Sequence, residues 1–154
     1  AYLGLGDLFV ILFFGLIAVS GTTYVLTLDF SAAAIWLGLQ VGSLSTVLIA
    51  INNLRDRAMD AAVGKKTLAV RFGDRAVILE ILCLLAFGYL MTFYWVFNFG
   101  RFSFLFFFLS APLALKLVTL VTDRERKEKL LAALGMAALI HLLFGVSFCL
   151  ACLL

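Results

Sequence analysis

Charged positions along these 154 residues are spaced so that five long apolar stretches lie between them. The first uncharged window runs from Leu8 to Leu28, between Asp7 and Asp29, and the second runs from Phe30 to Leu54. A third begins near Ala76 and reaches Gly100, with Glu80 about one turn inside its start. A fourth, Phe102 to Thr122, contains Lys116, and a fifth, Leu130 to Leu154, contains His141. At about 1.5 Å of rise per residue, about 20 apolar residues cross a hydrocarbon core of about 30 Å. The pattern therefore predicts an all-α membrane protein with five spans, over about residues 8–28, 31–54, 76–98, 102–122 and 130–153.

Composition agrees. The chain is 65% hydrophobic and 14% charged, with a mean hydropathy of +1.17, whereas soluble domains are about half apolar and about a quarter charged. The single proline and the long uncharged runs argue against disorder. Cys83, Cys149 and Cys152 all lie in apolar runs, and Cys149-x-x-Cys152 has no nearby base to form a thiolate. All three are expected to be buried apolar filler. No basic amino-terminal region marks a signal peptide, and the early entry into a spanning segment suggests a piece of a longer chain.

The net charge of +3 is small but unevenly placed. Arg55, Arg57, Lys65, Lys66, Arg71 and Arg75 follow the second span, and Arg124, Arg126, Lys127 and Lys129 follow the fourth. The other two connections hold only Asp29 and Arg101. Lys and Arg accumulate on cytoplasmic loops, so these two connections are predicted to be cytoplasmic and the C-terminus outside. The expected surroundings are a lipid bilayer, with no nucleic-acid partner. Tyr89, Phe93, Tyr94, Trp95, Phe97 and Phe99 crowd the predicted outer end of span three, as an interfacial belt would. Phe102, Phe104, Phe106, Phe107 and Phe108 continue across a short turn and are expected to contact lipid. Gly38, Gly42 and Thr46 form a small-residue stripe suited to close helix approach. Lys116 is near enough to a span end to snorkel or to reach a phosphate. His141 is expected near mid-bilayer as a neutral side chain hydrogen-bonded to a neighbouring helix.

Chemistry is concentrated in one place. Asn52, Asp56 and Asp60 recur every four residues and share a helical face. Two carboxylates one turn apart repel each other unless an arginine or a metal ion stands against them. Mg²⁺ usually takes one or two carboxylates, several waters and phosphate oxygens, so the spacing suits a metal–diphosphate complex. Lys65, Lys66 and Arg71 would bring positive charge to phosphate oxygens. Gly64-Lys65-Lys66-Thr67 is not a P-loop, because Met59 stands where that motif needs glycine.

The string from Asn52 to Gly73, N-N-L-R-D-R-A-M-D-A-A-V-G-K-K-T-L-A-V-R-F-G, resembles the second aspartate-rich motif of the UbiA superfamily of intramembrane prenyltransferases. It is most similar to the branch acting on 1,4-dihydroxy-2-naphthoate. Gly4-Leu5-Gly6-Asp7-Leu8-Phe9-Val10, leading to Phe13-Phe14-Gly15, and Leu139-Ile140-His141-Leu142-Leu143-Phe144-Gly145 agree with that branch. The resemblance implies a nine-helix bundle in which these spans are helices five to nine of a single domain. Two aspartate-rich motifs would jointly hold Mg²⁺ and a polyprenyl diphosphate. Asp56 and Asp60 would be metal ligands with Asn52 beside them as catalytic residues, and Arg55, Lys65, Lys66 and Arg71 would bind diphosphate. Asn53 and Lys116 are further candidates.

The implied reaction transfers a polyprenyl group to 1,4-dihydroxy-2-naphthoate with decarboxylation, in menaquinone synthesis at the cell membrane. The family's first motif, N-D-x-x-D-x-x-x-D, is nowhere in these residues. The missing amino-terminal half is therefore an expected partner, without which the 154 residues are expected to be inactive. Two other readings are a family member with another aromatic acceptor and a small transporter or scaffold whose charged loop anchors it to lipid.

Overall fold

The computed structural model describes residues 4–123 and 128–154. Arg124, Arg126 and Lys127 of the second basic connection lie outside the described residues. The described residues form helices α1 (Gly6–Thr27), α2 (Ala32–Ala62), α3 (Leu68–Phe72), α4 (Asp74–Phe99), α5 (Phe102–Thr122) and α6 (Leu130–Leu153), with no strand among them. All but α3 are long and apolar enough to cross a membrane.

The helix ends fall close to the apolar windows, with one informative exception. The second helix runs on from Leu54 to Ala62, because no glycine or proline interrupts it before Gly64. Its 31 residues measure about 46 Å against about 30 Å of hydrocarbon. Its polar end, which carries Asn52, Asp56 and Asp60, thus projects as a continuous helix rather than a loop.

α2 is the centre of the bundle. Over its most apolar window 56% of the residues are buried, against 6% for α1. Leu44, Val47, Ala50, Ile51 and Leu54 share one core with Val77, Ile81 and Leu85 of α4, Leu117 and Val121 of α5, and Leu130, Ala133 and Ile140 of α6. On its other side, α2 receives α1 through the predicted small-residue stripe. A Cβ at Gly15 would lie 2.3 Å from the Gly38 carbonyl oxygen and 2.7 Å from Gly42 Cα, so the two backbones touch. Gly15 sits in a π-helical stretch of α1, Ile11–Ile17, at this contact. Thr46 extends the stripe, with its hydroxyl donating to Gly42 O at 2.8 Å and to Asp7 O at 3.4 Å.

Several expectations are corrected. Trp95 is not an interfacial residue. It is buried among Phe99, Phe104 and Phe148, because it lies on the face of α4 that meets α2 and α6. Phe104 and Phe107 are also interior, the latter stacked on Tyr89, whereas Phe97 and Phe102 are exposed as a belt requires. The three cysteines are free and exposed, lying on outward helix faces rather than in the core. His141 Nδ1 is buried without a hydrogen-bond partner among the described residues. At the end of the bundle remote from Asp56, the Arg101 guanidinium donates to Ala151 O at 3.4 Å and Cys152 O at 2.8 Å, satisfying the last carbonyls of α6.

Candidate functional site

The site is built where α2 ends. Gly64, at φ +73°, closes the helix. Lys65 N–H donates to Asp60 O at 2.9 Å, and Gly64 N–H donates to Ala61 O at 3.2 Å. This paired termination is the Schellman motif, which needs a residue that tolerates positive φ just past the helix. It also reverses the chain, so that Lys65 Nζ meets Asp60 Oδ1 at 2.8 Å. Thr67 then caps α3, its hydroxyl accepting from Val70 N at 3.4 Å.

Asn52, Asp56 and Asp60 share one helical face, as their spacing predicts, and all three line a single cavity of about 220 Å³. Asn53, Ile49, Lys65 and Thr67 line it too. The opposite wall is the start of the chain, with Gly4, Gly6 and Asp7. Gly4 is held against the connection after α2, where a Cβ on it would lie 2.4 Å from Lys66 O and 3.3 Å from an Arg71 guanidinium nitrogen. Its φ of +72° is a second reason for glycine there.

The carboxylates are matched by cations. Arg55 grips Asp56 through both oxygens, at 2.8 and 2.9 Å, and donates to Asn52 Oδ1 at 2.6 Å. Asp60 is 4% exposed, so its pairing with Lys65 compensates a carboxylate that is largely removed from water. Arg57 points away from the cavity and bonds Asp74 at the start of α4, at 2.7 Å. Of the other predicted site residues, Lys66 and Arg71 are exposed beside the cavity rather than lining it. Lys116 is exposed on α5 and lines no part of it.

Asp7 is the residue that sequence reasoning missed. It is 7% exposed, and its Oδ1 accepts from Asn53 Nδ2 at 3.1 Å. A lone acid at the start of a spanning segment, between glycines, was the available signal, since ionisable groups at membrane depth are costly and commonly functional. Among the described residues no group of three or more His, Cys, Asp or Glu side chains is arranged to hold a metal ion. Two aspartates one turn apart, with Asn52 beside them on the same wall, nevertheless offer the hard oxygen donors that a small divalent cation takes when phosphate and water complete its shell.

The chain belongs to the UbiA prenyltransferase family, whose sequence model matches residues 1–148. It is similar to the 1,4-dihydroxy-2-naphthoate octaprenyltransferase of Haemophilus influenzae, with 35% identity over 155 aligned positions that cover 96% of this chain and 48% of that protein. The Mycobacterium tuberculosis protein of the same name is 40% identical over 92 residues, 60% of this chain and 32% of its own. The Escherichia coli one is 42% identical over 73 residues, 47% and 24% respectively. The chain spans about half the length or less of the curated relatives it matches. No solved structure gives a significant match. With five apolar helices, this family member is a multi-pass membrane protein.

Proposed function

We propose that this chain supplies one wall of the active site of a prenyltransferase, which moves a polyprenyl group from its diphosphate to 1,4-dihydroxy-2-naphthoate with loss of the acceptor's carboxylate. The observation that carries the reading is the convergence of Asn52, Asp56, Asp60 and Lys65 on one cavity at the end of the central helix. The names of the relatives supply the acceptor.

In this reading Asp56 and Asp60 hold Mg²⁺ against the diphosphate. When bound, the cation withdraws charge from the leaving group and so favours cleavage of the allylic C–O bond. Arg55 and Lys65, released from the carboxylates, turn to the phosphate oxygens, Arg55 as a two-pronged donor and Lys65 as a point charge. Lys66 and Arg71 add positive charge at the rim. Positioned cations of this kind stabilise a departing anion without reorganising at the moment of reaction. The tail follows the apolar part of α2 towards lipid. A second set of carboxylates, on helices outside these residues, completes the clamp, and the 154 residues by themselves are inactive. Lys65, Lys66 and Arg71 face the cytoplasm of a cell membrane, by the distribution of basic residues.

The test is to replace Asp56 or Asp60 by alanine in the intact protein. Prenyl transfer and Mg²⁺-dependent pyrophosphate binding should both be nearly abolished. Normal activity in either variant would remove the metal role.

A further inference from the structure

The cavity does not end at the aspartate pair. Asn53 precedes Asp56 by three residues and Asp60 by seven, about 4.5 Å and about 10.5 Å of helical rise. Asp7 is bonded to Asn53 through its side chain and to Thr46 through its carbonyl, so it lies beside this inner level, with Ile49 in the same wall. A diphosphate engaged by Asp56, Asp60 and Lys65 has its carbon chain directed inwards, because the apolar half of α2 lies that way. The bond that breaks, and the ring that attacks it, therefore belong near Asp7 rather than at the rim.

We propose that Asp7 is the group that receives a ring hydroxyl of the aromatic acceptor, an inference that rests on the prenyl-transfer reading above. An ionised carboxylate only accepts hydrogen bonds. Asn53 fixes its orientation, and no other side chain among the described residues donates to it. A hydroxyl placed there makes a charge-assisted bond, which fixes the orientation of the ring at the inner level of the cavity. In 1,4-dihydroxy-2-naphthoate the 1-hydroxyl adjoins the carboxylate and closes a bond within the molecule. The 4-hydroxyl is left to donate to Asp7, and repulsion from Asp7 keeps the acceptor's own carboxylate at a distance.

The experiment uses the intact protein in lipid nanodiscs with Mg²⁺ and pyrophosphate, under reducing conditions. Affinities are measured for 1,4-dihydroxy-2-naphthoate and for 1-hydroxy-2-naphthoate, which lacks only the 4-hydroxyl. The wild type should prefer the dihydroxy ring by about tenfold or more, as a hydrogen bond to a charged group does. In Asp7→Asn and Asp7→Ala the preference should fall to within about twofold, with pyrophosphate affinity kept within about threefold. Should the alanine variant fail to fold, the near-isosteric asparagine variant decides the matter. A wild type without the preference, or variants that retain it, would overturn the assignment. So would variants that lose both rings and pyrophosphate alike, because Asp7 would then only be supporting the wall. If the wild type binds pyrophosphate but neither ring, the naphthoate reading fails and the Asp7 assignment with it; variants that keep the wild-type preference overturn the Asp7 assignment alone and leave that reading standing.

Discussion

Trp95 Nε1 donates to Gln40 Oε1 at 2.7 Å, while Gln40 Nε2 donates to Gly88 O at 2.6 Å. One fully buried amide on α2 thereby fastens two turns of α4, and both of its polar atoms are satisfied where water is absent. Replacing Gln40 by leucine keeps the volume but strands the indole N–H. Hydrogen bonds between helices in membranes contribute about 0.6 kcal/mol on average and about 1.7 at most. The variant should therefore lose about 1–2 kcal/mol, read as a lower melting midpoint in detergent, with pyrophosphate binding retained at temperatures below the transition.

Gly15 gives a sharper expectation, because nothing flexible surrounds it. Its Cβ would meet the backbone of Gly38 and Gly42 at 2.3–2.9 Å. Gly15→Ala should push α1 from α2 and cost about 1–3 kcal/mol, as overpacking does. Gly4 and Gly6, which line the cavity wall facing Asp56 and Asp60, move with the same end of α1, so pyrophosphate affinity should fall as well. Gly145→Ala is the control: a Cβ there has nothing within 4 Å, and removing a glycine from mid-helix should stabilise by about 0.5–1 kcal/mol. Equal melting points for the two variants would contradict the contact.

Metal and pyrophosphate should bind cooperatively. Mg²⁺ alone would take Asp56 and Asp60 and leave the charges of Arg55 and Lys65 facing it. Pyrophosphate alone would draw off those cations and leave two carboxylates beside an anion. Together they satisfy both sets. Calorimetry should show each binding about tenfold tighter, or more, in the presence of the other, within the usual range for coupled sites. Independent binding would mean that the observed pairs are not displaced.

Arg57 and Asp74 form an ion pair outside the cavity, with side chains 44% and 31% exposed. Exposed pairs typically contribute under about 1 kcal/mol. Arg57→Ala should leave both the melting midpoint and pyrophosphate affinity close to those of the wild type, which would set it apart from its neighbour Arg55.

Much of this was legible in the sequence because a bilayer writes its demand in long apolar windows, which gave the five helices nearly to their ends. The Gly38–Gly42–Thr46 stripe was legible too, since close approach of two helices allows few residue types. The shared face of Asn52, Asp56 and Asp60 followed from helical periodicity. Asp7 did not, because its partner Asn53 lies 46 residues away and no local period links them. Trp95 misled for a related reason. An aromatic near a span end can face lipid or a neighbouring helix, and only the packing of α4 on α2 and α6 decides which. The apolar window of α2 stops at Leu54, so hydropathy alone ends the span there, whereas the four-residue spacing of Asn52, Asp56 and Asp60 carries the helix on towards its end at Ala62.

The seat of α1 has a consequence for how the molecule comes apart. That helix shares its interface chiefly with α2, and its outward side carries Phe9, Phe14 and Val25 in the open. Helices α4 and α6, by contrast, hold α2 from the other side, and α5 packs on those two to complete a common core. In the 154 residues taken by themselves, loosening of α1 from α2 on gentle warming should precede collapse of the rest, since the least enclosed unit opens first. Because Gly4, Gly6 and Asp7 leave with it, the cavity should lose one wall while most backbone amides remain protected from exchange. Two separate transitions are expected, the earlier one silent in helix content and plain in amide exchange along α1.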